Sequence, residues 1–264
     1  MMRSDSRCCY RFLAWEIFSV QVNIIPMVFD KRGQSALPQP DSIDVWTISW
    51  RTADANWQFL SPAEQDRARR FHFERDRNRF AGCRSWLRIV LGGYLGLDPA
   101  DVRFEYGERG KPSLATDQNG ERLQFNLAHS GDFGLLGVAV ERRVGLDIEQ
   151  IDRFRDHLQI AERYFSRREA DDLEELPAEL RREGFVACWT RKEAFIKALG
   201  LGLSLPLSDF SVTVHPHAVA TINELPPSQQ NVNWWLQDLS VPDGYRAALV
   251  TEGGTCVVRN RSAA

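Results

Sequence analysis

Apolar positions along the chain alternate in some stretches, recur at helical spacing in others, and break at glycine and proline. This order predicts a mixed α and β protein. Ile43-Asp-Val-Trp-Thr-Ile48 alternates as a half-buried strand does. Ser61-Pro-Ala-Glu64 then offers an N-cap serine, a proline at the first helical position and the glutamate of a capping box. A longer helix is predicted from about Glu74 to Leu95, because Phe80, Cys83, Leu87, Val90, Leu91 and Tyr94 fall on one face. Strands are expected near residues 102–106, 123–128, 134–140 and 144–149. Helices resume over 166–176 and about 178–199, and strands near 209–214, 217–222, 232–238, 245–250 and 255–258 complete the pattern.

The two halves of this pattern echo each other. Leu60-Ser61-x-x-Glu64 returns as Phe165-Ser166-x-x-Glu169, and at the same shift Phe80-x-x-Cys83 becomes Phe185-x-x-Cys188. Asp101-Val-Arg-Phe104 is echoed by Asp209-Phe-Ser-Val212 after a slightly longer loop. The expected fold is therefore α+β, a pseudo-dimer of two similar α+β halves over residues 41–144 and 145–258. The groove between the halves is the natural place for a ligand, since small-molecule sites favour domain interfaces. Residues 1–40 stand apart. Their apolar run from Cys9 to Phe29 is broken by Arg11, Glu16, Gln21 and Asn23, and Gly33 to Pro40 has the composition of a turn or linker. A poorly ordered extension is expected there, lacking the apolar core and cleavage site of a signal peptide.

Composition narrows the function classes. The chain has 264 residues, 43% of them hydrophobic and 26% charged, which excludes a disordered or collagen-like chain. A net charge of −3 gives no footprint for bulk nucleic-acid binding, and the absence of a run of about eighteen apolar residues predicts no membrane span. The five cysteines, at 8, 9, 83, 188 and 256, show no metal-ligand or redox spacing; they read as free thiols in a reducing, cytoplasmic compartment. Cys83 and Cys188 fit small core positions. Only four of the 33 basic residues are lysines (31, 111, 192 and 197), so each is worth tracing.

Candidate chemistry begins at Val144-Gly-Leu-Asp-Ile-Glu149. In a strand Leu146 and Ile148 face one way and Asp147 and Glu149 the other. Two neighbouring carboxylates repel unless a positive charge lies between them, and a hard cation such as Mg²⁺ answers that need; a solvated strand face is the other possibility. In Phe185–Leu199, Glu193 and Lys197 lie at i,i+4 on one edge of the apolar stripe, one turn after Trp189. They form either an exposed ion pair or part of a phosphate–metal site. Gly107-Glu-Arg-Gly-Lys-Pro112 is a turn presenting Lys111, and Phe125-Asn-Leu-Ala-His-Ser-Gly131 is a strand that ends at His129. Arg67, Arg69, Arg70, Arg75, Arg77 and Arg79 span the junction of two helices; most suit a solvated face, and one or two suit a bidentate phosphate clamp.

Together, Gly107-x-x-Gly-Lys-Pro112, Phe125-Asn-Leu-Ala-His-Ser-Gly131, Gly145-Leu-Asp-Ile-Glu149, Trp189-Thr-Arg-Lys-Glu-Ala-Phe-Ile-Lys197 and Gly200-Leu-Gly-Leu-Ser-Leu-Pro206 resemble the 4'-phosphopantetheinyl transferases, in particular the surfactin-synthetase-activating (Sfp-type) group. The resemblance runs over about residues 43–258. It implies two similar α+β halves with the active site between them. It also implies transfer of the phosphopantetheine arm of coenzyme A to a serine of an apo acyl or peptidyl carrier protein, with release of adenosine 3',5'-bisphosphate. By motif position it makes Asp147, Glu149 and Glu193 the Mg²⁺ acids. Lys197, His129, Lys111 and Arg79 become coenzyme A phosphate contacts, and Arg67 a looser match. Glu193 is the candidate base for the carrier serine, with Glu149 in reserve. The family's serine before the histidine is Ala128 here, and a basic residue three before Arg67 is Glu64, so part of the phosphate clamp is missing. Ile151, Arg153, Phe154 and Arg155 are placed either to meet the carrier or as an ordinary loop. A cytoplasmic monomer without nucleic-acid or membrane partners is expected. Two rival functions use the same residues: a Mg²⁺-dependent hydrolase of a nucleotide pyrophosphate, and a non-catalytic binder of coenzyme A or carrier.

Overall fold

Each half is built from one strand, a capped short helix, a long helix, a small hairpin and an antiparallel pair. The computed structural model describes residues 25–26, 36–50, 55–118 and 122–262. The short strand β1 (Ile25–Pro26) and β2 (Ser42–Ser49) come first, then α1 (Pro62–Arg69) and α2 (Glu74–Leu95). The hairpin β3 (Phe104–Tyr106) and β4 (Pro112–Leu114) leads to β5 (Leu123–Ser130) and β6 (Phe133–Val140). The second half runs through β7 (Val144–Gln150), α3 (His157–Tyr164), α4 (Arg167–Glu175) and α5 (Ala178–Leu199). It continues with β8 (Ser211–Val212), β9 (Ile222–Glu224), β10 (Trp234–Asp238), β11 (Tyr245–Glu252) and β12 (Val257–Ser262).

The repeat is physical as well as textual. The order β2-β6-β5 in one sheet matches β7-β11-β10 in the other. Ser61 with Glu64 and Ser166 with Glu169 both form complete capping boxes. α2 and α5 are each 22 residues long and each ends on a left-handed glycine, Gly96 (φ 68°) and Gly200 (φ 72°). The two capping-box acids also serve the core. Glu64 takes Arg84 Nε at 2.6 Å and Arg88 Nε at 2.8 Å, and Glu169 takes Lys192 Nζ at 2.6 Å beneath the rings of Phe165 and Phe210. A buried acid beside buried cations satisfies both charges where water cannot reach.

Among the described residues three apolar cores follow. One lies under α2 around Trp86, Leu87 and Leu91, and one surrounds Phe185, Phe195 and Ile196 of α5. The third lies at the seam, where Val45, Ala128 and Leu135 meet Leu146, Ile148 and Leu249. Cys83 and Cys188 are buried, as expected. β12, assigned by sequence order to the second half, crosses back and pairs in parallel with β2. There Arg259 Nε lies 2.6 Å from the buried Asp44 carboxylate, which also accepts the Tyr94 hydroxyl.

Several elements differ from expectation. α3 and β4 were not expected. The strand expected at 217–222 is a turn closed by the Ala218 N–H on the His215 carbonyl, so the hairpin shortens to β8 and β9. The extension over 1–40 lies outside the described residues except at 25–26 and 36–40, where Leu37 packs on the first core.

Candidate active site at the seam of the two halves

β7 is the strand that carries the first acids, and its alternation holds. Leu146 and Ile148 are fully buried in the seam core, while Asp147 and Glu149 turn to the opposite face. Gly145 lets α5 lie directly on that strand: a Cβ there would come within 2.2 Å of the Ala194 carbonyl and of the Ala198 nitrogen. This close approach brings Glu193 and Lys197 of α5 to the acids of β7.

The seam itself is stitched by side chains. β7 pairs with β11 on one side, and on the other it meets β5 without a ladder of its own. Asn126 Oδ1 accepts the Leu146 N–H at 2.9 Å, and Ser130 Oγ accepts the Gln150 N–H at 3.2 Å. Asn126, Ala128 and Ser130 share one face of β5, so Ala128 points into the seam core, and a hydroxyl at that position would face β7.

A cleft of about 690 Å³ opens beside these strands, and Asp147, Glu149, Glu193, Lys197, His129 and Arg79 all line it. Lys197 Nζ sits 2.6 Å from Asp147 Oδ1, whereas Asp147 Oδ2 is buried with no hydrogen-bond partner among the described residues. Lys197 therefore crosses to the strand acid instead of pairing with Glu193 along its own helix, which corrects the simple i,i+4 pair. Glu149 accepts from Ser130 Oγ at 2.6 Å and from Arg153 at 2.5 and 2.6 Å. Among the described residues no group of three or more His, Cys, Asp or Glu side chains stands ready-made around a metal position. The three acids share a cleft, and two of them are held by cations.

Burial, with Glu149 and Glu193 nearby, pushes the Asp147 carboxyl up to about 7 against the pull of Lys197. Burial likewise raises Glu193. The walls around His129 desolvate its ring, and Lys197 and Arg79 hold its pKa further down from the ordinary imidazole value.

Other expected contacts are dispersed. Arg67 lies over the Phe80 ring in a neighbouring cavity of about 950 Å³ that shares Leu127 and His129 with the cleft. Glu64 is in the wall of that cavity, bound to Arg84 and Arg88, so its acidic character serves the fold. Lys111 is not in the cleft. It lines a smaller cavity of about 250 Å³ with Glu193 and Lys197, and its ammonium donates to the Lys197 carbonyl at 2.6 Å and the Val144 carbonyl at 3.3 Å. Burial, helped by Arg143, lowers it to about 8. Phe154 packs on Phe185 and Trp189, so that ring belongs to the core, while Arg155 is exposed. Lys192, scarce in type like Lys197, is structural.

Sequence reasoning missed the roles of Ser130, Gly145 and Arg153 around the acids. A signal existed for Ser130: its period-two spacing from Asn126 places both polar side chains toward the β7 edge.

Two family descriptions match the chain. The 4'-phosphopantetheinyl transferase superfamily matches residues 143–250, and the 4'-phosphopantetheinyl transferase N-terminal family matches residues 44–141. The 4'-phosphopantetheinyl transferase HetI of Nostoc is 35% identical over 229 residues, covering 83% of this chain and 93% of HetI. The 4'-phosphopantetheinyl transferase Sfp of Bacillus subtilis is 34% identical over 191 residues, covering 72% of this chain and 81% of Sfp. The solved complex of an acyl-carrier-protein synthase with coenzyme A from Chronobacterium ammoniagenes, 21% identical with a TM-score of 0.34, overlays 42% of this chain and 96% of that one. No helix among the described residues is long and apolar enough to cross a membrane. The chain belongs to the 4'-phosphopantetheinyl transferase superfamily, in its Sfp-type group, and is an enzyme that transfers the phosphopantetheine arm of coenzyme A to a carrier protein.

Proposed function

We propose that the seam cleft holds the diphosphate of coenzyme A beside one Mg²⁺, and that a carrier serine attacks there. The serine oxygen forms a bond to the phosphorus that bears the pantetheine arm. The bond from that phosphorus to the bridging oxygen breaks, and adenosine 3',5'-bisphosphate leaves. The observation that carries this reading is the buried Asp147 Oδ2, without a partner among the described residues, in the same cleft as Glu149 and Glu193. An orphaned carboxylate oxygen among like charges is costly, and a divalent cation with oxygen ligands relieves both burdens. Asp147, Glu149 and Glu193 would hold Mg²⁺, which when bound offsets the charge of the diphosphate and of the leaving group.

The protein's own groups complete the chemistry. Lys197, its side chain 29% exposed, is free to turn from Asp147 toward a phosphate. Arg79 and His129, which line the same cleft, donate to the diphosphate, and Arg67 marks the adjoining cavity for the nucleotide end. Lys111 reaches a phosphate only by leaving the Val144 and Lys197 carbonyls; where it stands, it fixes the last turn of α5. Glu193 takes the serine proton. It lines the cleft with no hydrogen-bond or ion-pair partner among the described residues, so a carboxylate oxygen is left to accept that proton, directly or through a water. Glu149, engaged by Ser130 and Arg153, is the reserve base.

The carrier meets the rim formed by Ile151, Arg153 and Arg155, and the enzyme works as a cytoplasmic monomer. The test is mass gain on an apo carrier with coenzyme A and Mg²⁺. Asp147→Ala and Glu193→Gln should each lose about a hundredfold or more in kcat. A fully active Asp147→Ala protein would overturn the metal assignment, and coenzyme A turnover without any carrier would overturn the transfer itself.

A further inference from the structure

We infer that Ser130 is a positioning residue for the reaction, because its buried hydroxyl fixes the direction in which Glu149 presents its carboxylate. The inference rests on the reading of Glu149 as a metal-site acid.

Ser130 ends β5 and is 4% exposed, against 8% for Glu149. Its Oγ has two partners, and their chemistry assigns the proton. The Gln150 N–H can only donate, so Oγ accepts there at 3.2 Å. The one hydroxyl proton is then directed at Glu149 Oε2, 2.6 Å away. A hydroxyl-to-carboxylate bond of this length belongs to the strong, charge-assisted class.

The backbone around Ser130 is itself held. Ser130 pairs with Phe133 across a two-residue hairpin loop, in which Gly131 takes a left-handed φ of 53°. A Cβ on Gly131 would lie 2.3 Å from the Tyr245 hydroxyl, and that hydroxyl accepts the Asp132 N–H at 3.2 Å. The loop that joins β5 to β6 is thus held against Tyr245 of β11, directly after the serine. Arg153 also touches Glu149, but from a side chain that is 56% exposed. Ser130 is the buried, neutral donor to Oε2, and a cation on Oε1 has, among the described residues, only the exposed Arg153 guanidinium to displace. Groups of this kind orient the acids that hold a metal.

The experiment compares Ser130→Ala, Ser130→Thr and Glu149→Gln. Each protein is characterised by Mn²⁺ binding in the absence of substrate (electron paramagnetic resonance), by kcat and the coenzyme A KM with a carrier, and by Tm. Ser130→Ala should bind Mn²⁺ about 10- to 100-fold more weakly and lose kcat about tenfold, with the coenzyme A KM within about twofold. Ser130→Thr, which keeps the hydroxyl, should recover most of both. If Ser130→Ala keeps the parent Mn²⁺ affinity and kcat, the inference fails. It also fails if Ser130→Ala lowers only Tm. Should the alanine protein not fold, Ser130→Cys, similar in size but a poor donor, is read by the same outcomes. A Glu149→Gln protein with unchanged Mn²⁺ affinity would sink the metal-site reading itself. An impaired Glu149→Gln beside an unaffected Ser130→Ala would sink only the role of Ser130.

Discussion

Gly145 of β7 and Ala194 of α5 approach so closely that a Cβ on the glycine would lie 2.2 Å from the Ala194 carbonyl oxygen. That contact sets the distance at which Lys197 meets Asp147. Gly145→Ala must push the helix off the strand, because backbone on both sides leaves no flexible atom to yield. A destabilisation of about 1–3 kcal/mol or more is expected, with loss of carrier modification beyond what the folded fraction explains. Urea denaturation read beside mass gain on an apo carrier checks this; a stable, fully active variant would mean that the spacing is not needed.

Asp147 makes stability depend on pH in metal-free buffer. Its folded carboxyl sits near 7, above the ordinary 3.8, so folding takes up a proton between those values. Wild type should therefore lose stability relative to Asp147→Asn as the pH rises through that window, with a constant gap above it. Adding Mg²⁺ at about pH 8 should raise the wild-type midpoint and leave Asp147→Asn unmoved. Parallel pH curves for the two proteins would contradict the burial of this charge.

Glu169 and Lys192 test the fold without touching the cleft. Both are almost fully buried, so Glu169→Gln strands an ammonium and should cost about 3–5 kcal/mol. Glu169→Gln combined with Lys192→Met removes both charges and should recover much of that loss. Activity per folded molecule should stay at the wild-type level in the double variant.

Phe154 and Arg155 separate core from docking. Phe154→Ala removes a ring from the Phe185–Trp189 cluster and should lower stability by about 2 kcal/mol, below the 3–5 of a fully buried ring. Arg155→Glu should leave stability unchanged and raise the KM for an acidic carrier, with coenzyme A affinity unaltered. Weaker coenzyme A binding in that variant would place Arg155 on the nucleotide instead.

The local features were legible because their causes are local. The bounds of α2 and α5, both capping boxes and the alternation of β7 follow from helical spacing, N-cap chemistry and the two-residue period of a strand. The repeat was legible because it is written in those same signals, and motif order pointed to the family. α3 escaped because an eight-residue helix gives little periodic signal and, unlike α1, it has no side-chain cap to mark its start.

What the chain alone could not state was which partner each charged residue would find. Lys197 has Glu193 one turn away on its own helix, and only the packing of α5 on Gly145 turns it to Asp147. Glu64, read from the sequence as an acid where the family has a base, is answered by Arg84 and Arg88 of α2, and Lys111, read from its own segment as a turn lysine, is answered by the carbonyls of Lys197 and Val144. Spacing along a chain fixes which face a side chain occupies. Its charge is answered by whatever the tertiary fold brings within hydrogen-bonding reach, from residues far away in sequence.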